Sequence, residues 1–146
     1  MPDDKKIIMR KKFEILGKDF INGGRVSSEI RDILKFLNLP SSVVRKTGIA
    51  AYEAEMNLII YARKGEIDLI ISNSSIEMVI QDEGDGIENI ELAMREGYST
   101  ATAEIREMGF GAGMGLPNIK RNSSEFRISS EVNKGTTLYI RIDINE

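Results

Sequence analysis

The amino-acid order predicts an α+β sandwich, a mixed, mainly antiparallel sheet with its helices gathered on one face. Three observations carry that prediction. Helical spacing of apolar residues is concentrated in residues 23–62, two β-rich runs at 67–71 and 76–80 form a hairpin, and residues 136–144 alternate in a single phase. Strands that come as hairpins, with helices elsewhere in the chain, suit segregated layers rather than βαβ alternation. A length of 146 residues fits one domain, 1–146, and no internal repeat is visible.

Residues 6–15 hold short apolar runs around Arg10, Lys11 and Lys12 with no helical stripe, and read as an opening strand. Val26, Ile30, Ile33, Leu34 and Leu37 then recur at three- and four-residue steps. They predict an amphipathic helix with Ser27 or Ser28 as its cap and an end near Asn38. A second helix starts at Pro40, Ser41 and Ser42. Its apolar residues, from Val43 and Val44 through Ile49, Met56 and Ile60, occur on all sides as far as Ala62, the pattern of a buried helix. Ser72, Asn73, Ser74 and Ser75 separate the hairpin strands. Residues 81–115 hold seven of the 13 glycines and little periodicity, apart from an acidic stretch, 88–95, that can be helical. A loop of that length in a compact domain is usually functional or disordered. Residues 116–121 restart a helix, 126–128 form a strand, and Leu138, Ile140, Ile142 and Ile144 share one face of the last strand.

Composition removes whole classes of chemistry. With no cysteine, the chain has no disulfide framework, thiolate zinc site or thiol nucleophile. With no histidine, it has no Ser-His-Asp triad, imidazole metal site or phospho-accepting histidine. A net charge of −3, with acids interleaved among the Lys/Arg pairs, argues against direct nucleic-acid binding. The N-terminal residues lack an apolar h-region and no run approaches the ~18 apolar residues of a membrane span, so no membrane role and a cytoplasmic location are expected.

Three short patterns carry chemistry. Glu53 and Asn57 lie about 40° apart on the buried helix, and Ile49, Met56 and Ile60 fall in the same sector as Glu53. A carboxylate in an apolar sector implies a raised pKa, a ligand that completes the site, or a structural partner such as a backbone group or a Lys or Arg. Glu55 projects about 160° away and has no such claim. Next, Asp82 stands at a strand end and is followed by Gly84 and Gly86. Either this is an ordinary acidic turn, or the glycines let the backbone pass close to a flat ligand while the carboxylate accepts from an exocyclic amine. Finally, Gly109, Gly111, Gly113 and Gly115 alternate ahead of a helix, where bare amides and the helix dipole favour phosphate. The run is not a Walker A loop, because no Gly-Lys-Ser/Thr follows.

In this order, and with Lys134-Gly135-Thr136-Thr137 entering the last strand, the motifs resemble the GHKL ATPase superfamily across nearly the whole chain. Residues 96–100 and the run Gly-Leu-Pro-Asn-Ile-Lys-Arg at 115–121 look most like its anti-sigma and switch serine/threonine kinases. The resemblance implies a Bergerat-type ATP-binding fold, with ATP and Mg²⁺ as cofactors and a lid at about residues 88–115. By it, Asn57 would hold the Mg²⁺ and Glu53 would be the general base. Asp82 would accept from the adenine amine with support from Thr136, and Gly84, Gly86 and Ile87 would line the nucleotide. Gly109, Gly111, Gly113 and Gly115 would form the lid hinge over the phosphates, Met114 and Leu116 would also bind the nucleotide, and Thr100 and Arg106 would be further phosphate contacts. The partners it implies are a STAS-type antagonist protein, a sigma factor and a second copy of the chain. Two functions follow: a kinase that phosphorylates the antagonist, or a nucleotide-gated binder that sequesters a partner without turnover.

Overall fold

The computed structural model describes residues 5–95 and 115–145, and within them the order of elements is the one the sequence predicts. Strand β1 (Ile7–Leu16) is followed by a short 3₁₀ turn (Phe20–Asn22) and two helices, α1 (Arg25–Phe36) and α2 (Ser41–Tyr61). Strands β2 (Ala62–Ser72) and β3 (Ser75–Gly84) form the hairpin. A one-turn helix, α3 (Ile90–Ala93), stands in the 88–95 stretch, and α4 (Gly115–Arg121), β4 (Glu125–Glu131) and β5 (Gly135–Asp143) complete the described chain. The sheet order is β1-β2-β3-β5-β4. All four pairings are antiparallel, so no parallel pair of the mixed sheet occurs among the described residues.

Helix α2 lies against β1, β2, β3 and β5, while α1 and α4 pack beside it. That central position explains why α2 is apolar all round: Ala50, Ala51, Ala54, Leu58 and Ile59 are all buried. Period-two alternation turns Ile67, Leu69 and Ile71 of β2, Ile76, Met78 and Ile80 of β3, and Leu138, Ile140 and Ile142 of β5 into the same core. The opposite sheet face is polar and cross-linked by charge. Arg10 pairs with Asp68 at 2.7 Å, Arg141 with Glu125 at 2.6 Å, and the Tyr139 hydroxyl donates to Glu77 at 2.6 Å. Between β2 and β3, the Ser72 hydroxyl accepts from the amides of Ser74 and Ser75, which fixes the tight turn.

The start of α1 departs from expectation. Neither Ser27 nor Ser28 caps it; the cap position is Gly24, in a left-handed conformation (φ 92°), with no side-chain cap of its own. Ser27 is fully buried and its hydroxyl donates to the Gly24 carbonyl. The free amides are taken instead by Glu55 of α2, whose carboxylate accepts from Gly24 and Val26 at 3.1 Å and from Ser27 at 2.9 Å. Glu55, expected to have no special role, is thus a buried carboxylate (1% exposed) held at a helix N-terminus.

Candidate functional site

The predicted residues fall in two clusters, one at the end of β3 and the start of β5, the other where α2 meets α4. Asp82 is the third residue from the end of β3 and lies opposite Gly65 of β2. Its Oδ1 accepts from the Thr136 backbone amide at 3.1 Å. Desolvation pushes the Asp82 carboxyl above the usual carboxylate range, with the Thr136 bond and the charge of Arg63 pulling the other way. A half-buried acid with a raised pKa at a strand end suits a ligand that carries a hydrogen-bond donor.

The turn after Asp82 is clamped to the β4–β5 hairpin. The Gly84 amide donates to the Lys134 carbonyl at 3.2 Å and the Asn133 amide to the Asp85 carbonyl at 2.8 Å. The Ile87 amide donates to Ser130 Oγ at 2.7 Å, and Ser130 Oγ in turn meets Thr136 Oγ1 at 2.8 Å. Gly86 takes φ 74°, and a Cβ there would lie 2.3 Å from the Glu131 carbonyl oxygen. Only glycine fits that conformation and that gap. An open pocket of about 350 Å³ lies here, lined by Asp82, Ser130, Lys134, Gly135 and Thr136 among others.

On α2, Glu53 and Asn57 are both half-buried, and both face α4. The Asn118 amide nitrogen donates to Glu53 Oε2 at 2.7 Å. A Cβ built on Gly115 would stand 3.1 Å from Asn57 Oδ1, so the side chain of Asn57 abuts the first residue of α4. Met56 and Ile60 beside Glu53 are buried and Ile49 is half-buried, as the helical projection implies. The structural partner of Glu53 is a side-chain amide, neither of the partners named from sequence. Leu58, next to Asn57, approaches Gly65, as does Asp82, and this joins the two halves of the site through the core.

The structure therefore brings Asp82, Gly84, Gly86, Ile87 and Thr136 together at the turn after β3, and Glu53 and Asn57 together with Gly115 where α2 meets α4, while Leu116 packs on the core. Thr100, Arg106, Gly109, Gly111, Gly113 and Met114 lie outside the described residues. Sequence reasoning missed Asn118 and Ser130. Asn118 had a signal, a polar residue between Leu116 and Ile119 in a helix whose apolar side packs inward; Ser130 had none.

A carboxylate at a strand end ahead of a left-handed glycine, and an acid–amide pair on a buried helix, are thus set in one α+β sandwich of five antiparallel strands. Residues 47–146 match the family described as "Histidine kinase-, DNA gyrase B-, and HSP90-like ATPase". The chain belongs to this family.

Among relatives, it is 32% identical over 110 residues to an "Anti-sigma F factor" of Geobacillus sp. (strain WCH70), covering 75% of this chain and 68% of the relative. It is 29% identical over 112 residues to the "Serine/threonine-protein kinase RsbT" of Bacillus subtilis (strain 168), covering 74% and 78%. In fold, it is similar to a chain of the SiaB-SiaC complex from Pseudomonas aeruginosa, with a TM-score of 0.57 at 14% identity over 94% of this chain and 91% of that one.

Proposed function

We propose that the chain is an ATP-dependent protein serine/threonine kinase of the anti-sigma-factor type, which phosphorylates a small STAS-like antagonist protein in a partner-switching pathway. The observation that carries this reading is the pairing of Glu53 and Asn57 on one side of α2, with Asp82 at the strand end in the same sandwich. Similarity to relatives named as an anti-sigma factor and as a serine/threonine-protein kinase supports it.

The residues present fit ATP. Thr136 occupies Oδ1 of Asp82, and an adenine amine would meet the other carboxylate oxygen. The tight backbone at Gly86 would let the base lie close. Asn57 offers a hard oxygen to Mg²⁺, which bound there would neutralise phosphate charge. No cluster of three acidic residues able to hold a metal occurs among the described residues, so phosphate oxygens and water would complete the ion's shell. In the transfer, Glu53 takes the proton from a serine or threonine hydroxyl. That oxygen bonds to the γ-phosphorus as the bond to the β–γ bridging oxygen breaks, and ADP departs with the electron pair.

No helix among the described residues is long and apolar enough to cross a membrane. The reading places the protein in the cytoplasm, with a sigma factor as the downstream target of the switch.

The test is Mg²⁺-dependent transfer of γ-labelled phosphate from ATP into proteins of the source organism's soluble extract. The wild type should label one small protein on serine or threonine, and Glu53→Ala and Asp82→Asn should label it far more slowly. ATP binding without any label, weakened by Asp82→Asn, would instead establish the nucleotide-gated binder.

A further inference from the structure

A general base works only when its carboxylate is aimed. Glu53 projects from α2 on a flexible stem, and its one strong tether among the described residues comes from another helix: Asn118 Nδ2 to Glu53 Oε2 at 2.7 Å. Asn118 Oδ1 accepts from Arg121 Nη2 at 2.6 Å, one turn further along α4. This relay fixes which way the amide points. Arginine can only donate and a carboxylate only accept, so the amide satisfies both neighbours in one orientation, oxygen to Arg121 and nitrogen to Glu53. The backbone of Asn118 is also tied down, since its carbonyl accepts from Asn122 Nδ2 at 2.8 Å. On the same helix, Gly115 lies against Asn57. Two positions of α4, three residues apart, thus meet two positions of α2, four residues apart, and neighbours at those spacings share a helix face.

We infer that Asn118 is a positioning residue for Glu53, with Arg121 as the lock on its amide. This rests on the kinase reading and adds to it. The Arg121–Asn118–Glu53 relay holds one carboxylate oxygen, and the other, without a partner among the described residues, would take the hydroxyl proton. It also makes the aim of the base depend on how α4 sits against α2. Whatever moves α4 at its Gly115 end changes Asn57 and Glu53 together. The family pairing of base and metal-holding amide would therefore act as one unit set by α4.

The experiment measures the initial rate of labelled-phosphate transfer into the acceptor band of the source organism's extract at saturating Mg²⁺-ATP, with ATP dissociation constants and thermal melting measured alongside. Asn118→Ala should lower the transfer rate about tenfold to a hundredfold, the range for a misplaced catalytic group, at an unchanged ATP dissociation constant. Asn118→Asp, which keeps the shape but sets a second carboxylate against Glu53, should lower it further. In a Glu53→Ala background, Asn118→Ala should cost nothing more, because the amide acts only through the carboxylate. Arg121→Ala, at an exposed position, supplies a variant that keeps the fold; it should cost about two- to fivefold, and nothing once Asn118 is alanine.

A transfer rate within twofold of wild type in Asn118→Ala would overturn the inference. So would an equal loss with and without Glu53. A wild type that binds ATP but labels no protein would sink the kinase reading itself, and the positioning role with it.

Discussion

Asp82 and Thr136, 54 residues apart in the chain, are joined by a 3.1 Å bond from the Thr136 amide to Asp82 Oδ1. That bond commits one carboxylate oxygen to the protein, so on the proposed reading the adenine amine would meet the other. In Asp82→Asn the Thr136 amide still requires the oxygen, and the side-chain NH₂ then faces the adenine amine, donor against donor. ATP affinity should fall about tenfold to a hundredfold, the cost of a lost hydrogen bond and an unpaired donor. A 6-oxo purine nucleotide such as ITP should lose much less. Isothermal titration with ATP and ITP checks both expectations; equal losses for the two would remove Asp82 from base recognition.

The same substitution has an opposite effect on stability. Burial raises the Asp82 pKa above its unfolded value, so the folded protein holds this proton more tightly than the unfolded chain does. Stability therefore falls as pH rises from the ordinary carboxyl range through the folded pKa, and at neutral pH the ionised group is a net cost. Asp82→Asn should melt slightly higher than wild type at pH 7, and the gap should close as pH falls to where Asp82 is protonated. Melting curves from pH 7 to pH 4 decide it; a gap that widens on acidification contradicts the sign.

Glu55 answers three amides at the start of α1 from a position 1% exposed to solvent. Glu55→Ala leaves those donors unsatisfied and opens a cavity beneath the helix. The expected loss is about 3 kcal/mol or more, in line with removing one partner of a buried charged network. Urea unfolding measures it. A loss under about 1 kcal/mol would mean that water caps α1 as well as the carboxylate does.

Glu55 also shows where reading the sequence stops. The apolar spacing of α1 located the helix, because period is a local property of the chain. Its cap could not be located that way, because the acceptor comes from a helix 28–31 residues away and Gly24 has no side-chain oxygen to offer locally. The same division runs through the site. Asp82, Gly84 and Gly86 were legible because a strand end followed by spaced glycines is a local pattern, and Glu53 with Asn57 because four residues make one helical turn. Asn118 and Ser130 act through contacts that exist only once α4 meets α2 and the β4–β5 hairpin meets the turn after β3. A projection around one helix axis can rank Glu53 above Glu55 as an odd residue. It cannot show that Glu55 points into a second helix.

Gly86 tests how closely the turn is specified. At φ 74° it has room for no Cβ, since the nearest atom, 2.3 Å away, is the backbone oxygen of Glu131, which is itself held in the hairpin. Gly86→Ala should therefore displace the turn, lower stability by about 1–3 kcal/mol and weaken ATP binding at the same time. Joint loss in calorimetric melting and nucleotide titration is the expected result. Unchanged ATP affinity in a folded Gly86→Ala variant would separate this turn from the nucleotide.

Thr47 offers a prediction in the stabilising direction. It sits fully buried in α2, and its Oγ1 is without a hydrogen-bond partner among the described residues. A buried hydroxyl with no partner costs free energy on folding, because the water it gave up is not replaced. Valine has the same branched shape and nearly the same helix propensity, so Thr47→Val exchanges the hydroxyl for a methyl without opening a cavity. The variant should gain about 1 kcal/mol, or ~3 °C in melting temperature for a domain of this size. Thr47 lies six residues before Glu53 and ten before Asn57, at neither of the positions that meet α4, so ATP affinity should stay the same. A destabilised Thr47→Val would show that the hydroxyl does bond in solution, to a buried water or to the carbonyl one turn back, as threonine in a helix is able to do.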